Sequence, residues 1–78
     1  MSDEIKVFGV ILFYTSSSAL RAEKILLKSG LTAKLIPTPR EFSSDCGVAL
    51  RFIWDEEQRV RNLMDSANVE ISSIHRMQ

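Results

Sequence analysis

The chain is too poor in cysteine to form a disulfide framework, because Cys46 is the single cysteine among 78 residues. A lone thiol excludes an intrachain disulfide and fits a reducing compartment better than an oxidising one. A chain this short also forms only a modest core, which leaves little room for a deep enzyme cleft. We therefore predict one domain, residues 1–78, in the cytoplasm.

An excess of charge and a long apolar run are missing as well. Ten basic and ten acidic residues give a formal net charge of zero, so no net field favours nucleic acid, an anionic membrane or an acidic substrate. The apolar run from Val7 to Tyr14 is far shorter than the roughly 20 residues that a membrane-spanning helix needs. We expect no nucleic-acid partner, no membrane and no cofactor, so partner choice must come from local features.

Apolar patterning predicts elements in the order βαββαβ. Segments rich in β-branched and aromatic residues, or alternating in polarity, predict strands at 6–14, 31–37, 48–54 and 69–75. Helical spacing predicts helices at 15–30 and 55–68, with Gly30 and Asn68 as end signals and a capping box of Asp55 and Gln58. This order predicts an α+β, ferredoxin-like two-layer sandwich whose antiparallel four-stranded sheet has strands one and three in the middle.

One face of such a sheet has no helix to cover it. The first strand is apolar on both faces, so Phe8, Val10 and Leu12 or their neighbours need a second cover. We expect a homodimer through this open face. The alternative is that long side chains such as Lys34 and Arg51 shield it.

The thiol lies in the connection between the second and third strands, PTPREFSSDCG at 37–47. Thr38, Pro39 and Glu41 are typical of a helix start, so we expect one helical turn there, with Phe42 pinning it onto the domain. Gly47 allows the backbone to bend, or another molecule to approach closely, beside the sulfur.

The charges around this loop decide whether the thiol ionises. We place the loop at the sheet end where strands one and three begin, with both helix C-termini directed toward it, which disfavours a thiolate. Arg40 and Arg51 are the cations available to offset that effect, and Asp45 opposes them. The structural alternative makes Cys46 a small apolar residue of the third strand, on the same parity as Val48.

A resemblance favours the reactive interpretation. Residues 19–52 include ALRAEKILLKSGL and LIPTPREFSSDCGVALRF and are similar to the small bacterial proteins of the selenium/sulfur carrier protein-like family. The most specific pattern is PR-x-x-SS-x-CG, formed by Pro39, Arg40, Ser43, Ser44, Cys46 and Gly47. The resemblance implies that Cys46 holds a persulfide or selenopersulfide and passes it between donor and acceptor proteins.

The residues of that pattern suit this chemistry, since a carrier thiol must be ionised, accessible and supplied with donors to the terminal sulfur anion. Arg40 would attract the anion and the hydroxyls of Ser43 and Ser44 would donate to it. The alternatives are a salt bridge from Arg40 to a neighbouring acid and ordinary turn formation by the serines. Such a carrier takes part stoichiometrically, so whether the protein is an enzyme stays open.

Three other functions compete with a carrier. Metal binding lacks ligands, because Cys46 and His75 fall short of the roughly four that a structural zinc site needs, and we expect His75 to be solvated. A catalytic pair would need those two residues to meet with a third group. The main rival is a non-catalytic dimeric interaction module with a structural cysteine, whose contact surface would include Phe52 and Trp54.

Overall fold

The predicted order βαββαβ and the α+β ferredoxin-like class are confirmed by a computed structural model, which describes residues 7–42 and 47–77. The strands are β1 (Phe8–Leu12), β2 (Ala33–Pro37), β3 (Val48–Ile53) and β4 (Ser73–Arg76). The helices are α1 (Ser16–Lys28) and α2 (Glu57–Ser66), with a 3-10 turn at Trp54–Glu56 before α2. The sheet order is β2-β3-β1-β4 with every neighbouring pair antiparallel, so β1 and β3 lie in the middle as predicted.

The helix ends follow local chemistry that the sequence shows only in part. The side chain of Thr15 caps α1 by accepting a hydrogen bond from the Ser18 N–H at 3.2 Å. Gly30 and Asn68 follow α1 and α2 with φ of 83° and 56°, the left-handed geometry that ends a helix. The capping box does not form, because Asp55 lies in the 3-10 turn and Glu56 is the N-cap without a side-chain cap bond.

The main core lies between the sheet and the two helices. Ile11, Leu50 and Phe52 project from the central strands toward buried residues of α1 and α2. Gly9, on β1, faces the same side, and a Cβ there would lie 2.5 Å from Cζ of Phe52 and 2.7 Å from Trp54. A side chain at this position is therefore excluded by the aromatic pair, which lies at 5.9 Å between ring centroids.

The opposite face of the sheet carries a second, smaller core. Val10, Leu12 and Ala49 are buried there at 4% exposure or less. The cover comes from the same chain, since Ile36, Phe42 and Met77 pack against these three residues. Arg51 adds to the cover, with its Cζ 4.4 Å above the ring centroid of Phe8.

This second core changes the basis of the predicted homodimer. The apolar residues of β1 on which the predicted homodimer depended are buried within one chain. Part of their cover is the long side chain of Arg51, which agrees with the alternative that long side chains shield this face. The homodimer therefore stays a prediction, and burial of Val10 and Leu12 no longer provides a reason for it.

We predict that Gly9→Ala lowers the free energy of unfolding by about 1–3 kcal/mol, the usual cost of an overpacked core. The new methyl group would overlap Phe52, which is 1% exposed and has little space to move. Urea unfolding followed by Trp54 fluorescence measures the change.

A double-mutant cycle provides the control. Phe52→Leu removes the two Phe52 ring atoms that the methyl group meets and leaves Trp54 in place, so Gly9→Ala should cost less in that background. An equal cost in both backgrounds would show that the close approach of Phe52 does not restrict position 9.

Candidate functional site

The β2–β3 connection is closed at its base by the sheet. Pro37 pairs with Val48 as the last rung of the β2–β3 ladder. One step further, the Thr38 N–H donates to the carbonyl oxygen of Gly47 at 3.2 Å. The two ends of the loop are therefore held together, immediately beside the position of the thiol in the chain.

The strand directions place this loop differently from our prediction. Leu12, at the end of β1, pairs with Ala49 near the start of β3 and with Ser73 at the start of β4. The loop therefore lies where β1 ends, because β1 and β3 are antiparallel, and the prediction that both strands begin at this end was wrong.

The direction of one helix dipole relative to the loop is therefore opposite to our prediction. α1 follows the end of β1 directly, with Thr15 as its cap, so its N-terminus lies at the loop end of the sheet and only α2 ends there. The α2 C-terminus is partly compensated, because Nη2 of Arg21 donates to the carbonyl oxygen of Ala67 at 2.8 Å. A helix N-terminus favours an anion, so the two helices do not both oppose a thiolate at this end.

The first half of the loop forms a tight turn. The Phe42 N–H donates to the carbonyl oxygen of Pro39 at 3.0 Å, which places Arg40 and Glu41 at the exposed tip. This is a single hydrogen-bonded turn in place of the predicted turn of helix. Arg40 is therefore presented to solvent beside the segment that carries the thiol.

Phe42 anchors the turn to the sheet, as predicted. Its ring packs against the second core and stacks on the His75 imidazole, with 4.4 Å between centroids and 19° between planes. Nε2 of His75 lies 2.9 Å from Oγ of Ser73 on the same strand. The prediction of a solvated His75 was wrong, because this histidine is half-buried beneath the loop.

The position of His75 had a signal in the sequence that we did not use. Strand alternation places His75 opposite to Ile74, and the register pairs it with Val10 on the second face. A residue on that face can contact the segment that covers Val10. The covering segment itself, which comes from more than thirty residues earlier in the chain, has no such signal.

Arg51 lies apart from the turn. Its guanidinium is over Phe8, whose strand partner is Ile53 at the opposite end of β3 from the loop. Since a strand rises by roughly 3.3 Å per residue, Arg51 begins about 10 Å beyond Val48. Among the described residues, the structure does not bring Arg51 and Arg40 together.

The remaining predicted site residues divide into two groups. Ser43, Ser44, Asp45 and Cys46 lie outside the described residues, so their predicted roles stay predictions. Gly47 is exposed, and a Cβ built on it would lie within 4 Å of no described atom apart from its chain neighbours. The close approach of another molecule beside Gly47 stays a prediction.

The aromatic residues proposed for an interaction surface belong to the core instead. Phe52 is buried beneath the helices, and Trp54 packs against that cluster with only part of its surface exposed. Phe52 therefore offers no contact surface to a partner.

Within residues 7–42 and 47–77, no three His, Asp or Glu side chains lie close enough together to form a metal site. No helix there is long and apolar enough to cross a membrane.

Comparison with known protein families gives a match over most of the chain. A family described as "Putative Se/S carrier protein-like" matches residues 8–76, which includes every strand and helix and the whole β2–β3 connection. No curated protein and no solved structure gives a significant match to the chain.

We predict that Gly47→Ala leaves the free energy of unfolding unchanged or raises it by about 0.4–1 kcal/mol, because alanine restricts the unfolded chain and its Cβ would meet none of the described atoms beyond its chain neighbours. Urea denaturation measures this change. A loss of stability would show that position 47 needs glycine for folding.

Proposed function

Because the chain belongs to the Se/S carrier protein-like family, we propose that it carries sulfur or selenium as a persulfide or selenopersulfide on Cys46. One observation from the structure carries the proposal furthest. Gly47, the neighbour of Cys46 in the chain, is exposed, and no described atom beyond its chain neighbours lies within 4 Å of a Cβ built on it. The loop is tied at its base by the hydrogen bond from Thr38 to Gly47. The exposure of Gly47 supports access of a donor or acceptor protein to this end of the loop.

The proposed loading step is an exchange of one sulfur–sulfur bond for another. The Cys46 thiolate attacks the terminal sulfur of a donor persulfide, a new S–S bond forms on Cys46, and the donor's S–S bond breaks. The donor leaves as a thiolate, which takes up a proton from water, and no net oxidation occurs. An acceptor nucleophile then attacks the terminal sulfur, and Cys46 leaves as a thiolate. Selenium follows the same sequence with Se in the terminal position.

The electrostatics of the loop end support an anionic sulfur more than the sequence alone indicated. The α1 N-terminus lies at this end of the sheet, and Arg40 is exposed at the tip of the turn. Asp45 opposes both through its position next to Cys46 in the chain. Ser43 and Ser44 complete the proposed site as hydroxyl donors to the terminal sulfur.

The partners that follow from this proposal are a sulfur or selenium donor and an acceptor, both of them proteins. We also propose that the protein is a homodimer and that it is located in the cytoplasm. In this scheme the protein is a stoichiometric carrier and not a turnover catalyst.

We predict that Cys46→Ser abolishes sulfur loading, because an alcohol at this position does not exchange with a persulfide. The measurement is intact-protein mass after incubation with a cysteine desulfurase and cysteine, in which the wild-type chain should gain the mass of one sulfur atom. Circular dichroism and urea unfolding of C46S serve as the control for folding. Equal sulfur gain by wild type and C46S would contradict the carrier proposal.

We also predict that Arg40→Ala slows alkylation of Cys46 by neutral iodoacetamide at a fixed pH by about two- to fivefold, the range expected for one exposed charge. The cause is loss of the nearby cation that stabilises the thiolate. Arg51→Ala is the matched control, since it removes the same charge from the opposite end of β3. Equal slowing in both variants would assign the effect to net charge alone.

A further inference from the structure

We propose that the stack of Phe42 on His75 is a clamp that holds the thiol loop on the sheet, and that His75 is a positioning residue for Cys46. The clamp itself stands on the described residues. The consequence for Cys46 rests on the proposed carrier function.

The clamp joins two distant parts of the chain. Phe42 belongs to the connection between β2 and β3, whereas His75 lies on β4, the edge strand at the other side of the sheet. To reach His75 from β2, the described part of the loop lies across the second face over β3 and β1, and β2 and β4 are three strand spacings apart, roughly 14 Å. The two rings are nearly parallel at 4.4 Å, so the contact is directional as well as apolar.

Both rings are held in place by their own surroundings. The imidazole is within hydrogen-bonding distance of Ser73 Oγ at 2.9 Å, which restricts its rotation. The phenyl ring also packs against the buried cluster of Val10, Leu12 and Ala49. A stack between two such restrained rings loses little side-chain entropy, and it favours one position of the Pro39–Phe42 turn.

Position of the loop matters more for a protein donor than for a small reagent. Transfer of sulfur between two proteins requires the thiol to meet one atom of its partner in a defined orientation. A released loop would keep its chemical reactivity while losing that orientation. The clamp therefore predicts that its removal slows sulfur acceptance from a protein without slowing alkylation by a small molecule to the same extent.

Limited trypsin digestion tests the clamp directly, because Arg40 lies on the turn and its peptide bond becomes a substrate when the loop opens. Intact-mass time courses should show cleavage after Arg40 about three- to tenfold faster in His75→Leu than in the wild type. Cleavage after Arg59, next to the fully buried Val60, reports global unfolding and should not change in proportion.

Three further variants separate the clamp from general stability. His75→Phe keeps an aromatic ring and should restore slow cleavage after Arg40. Ile74→Val weakens the same strand from the helix side, so it should not accelerate cleavage after Arg40 relative to Arg59. Phe42→Leu removes the other ring while keeping an apolar side chain on Val10 and Leu12, and it serves as the test if His75→Leu does not fold.

The outcomes are distinct for the two proposals. The clamp would be overturned if cleavage after Arg40 were no faster in His75→Leu than in the wild type. If His75→Leu does not fold, Phe42→Leu provides the same comparison. Equal rates of cleavage after Arg40 in His75→Phe and His75→Leu would also overturn the clamp. Sulfur acceptance from a desulfurase, compared with iodoacetamide alkylation, tests the positioning role, and equal effects on both would overturn it. A wild-type chain that accepts no sulfur would overturn the carrier function and leave the result of the digestion standing.

Discussion

The central strand β1 is buried on both faces, and the rest of the structure depends on covering it twice. The helices cover one face through contacts to Ile11, and the second face holds Val10 and Leu12. Burying a large aliphatic side chain contributes about 1.5–3 kcal/mol, a large part of the stability of a small domain. In the part of the chain that the structure describes, no helix covers this second face, and its cover comes from Ile36, from Phe42 of the β2–β3 connection and from Met77 after β4.

This constraint links packing to the proposed chemistry. The segment recruited as cover is the one that leads to Cys46, and Phe42 is the residue that makes the contact. The loop is thus attached to the sheet at Phe42, directly before Ser43 and Ser44 in the chain, while Gly47 at its other end is exposed. A free loop would have to lose its conformational entropy each time a partner bound. Attachment of Phe42 to the sheet makes the entropy loss of the Pro39–Phe42 turn part of folding.

The sequence predicted the elements and their order because apolar periodicity is a local property. It also predicted the middle position of β1 and β3, since only central strands need apolar residues on both faces. Two features were not local. The antiparallel direction of β3 had to be worked out from the topology, and the error there reversed the assigned direction of α1. The identity of the second cover depends on contacts between Phe42, Val10 and His75, which no window of the sequence contains.

The direction of α1 also changes how much unfavourable electrostatic energy Arg40 has to offset at the loop. With both helix C-termini at the loop, one arginine would have to offset two unfavourable dipoles and Asp45 together. With the α1 N-terminus at that end, and with Arg21 bonded to the carbonyl of Ala67 after α2, the backbone no longer opposes the anion on both sides. For the proposed thiolate, the balance then lies between Arg40, which is exposed, and Asp45, which precedes Cys46 in the chain and has the opposite charge. The energy of each interaction depends on the distance from the sulfur to the charge. In the proposed carrier, the attachment of Phe42 to His75 is therefore an electrostatic constraint as well as a steric one, because it fixes the turn that carries Arg40.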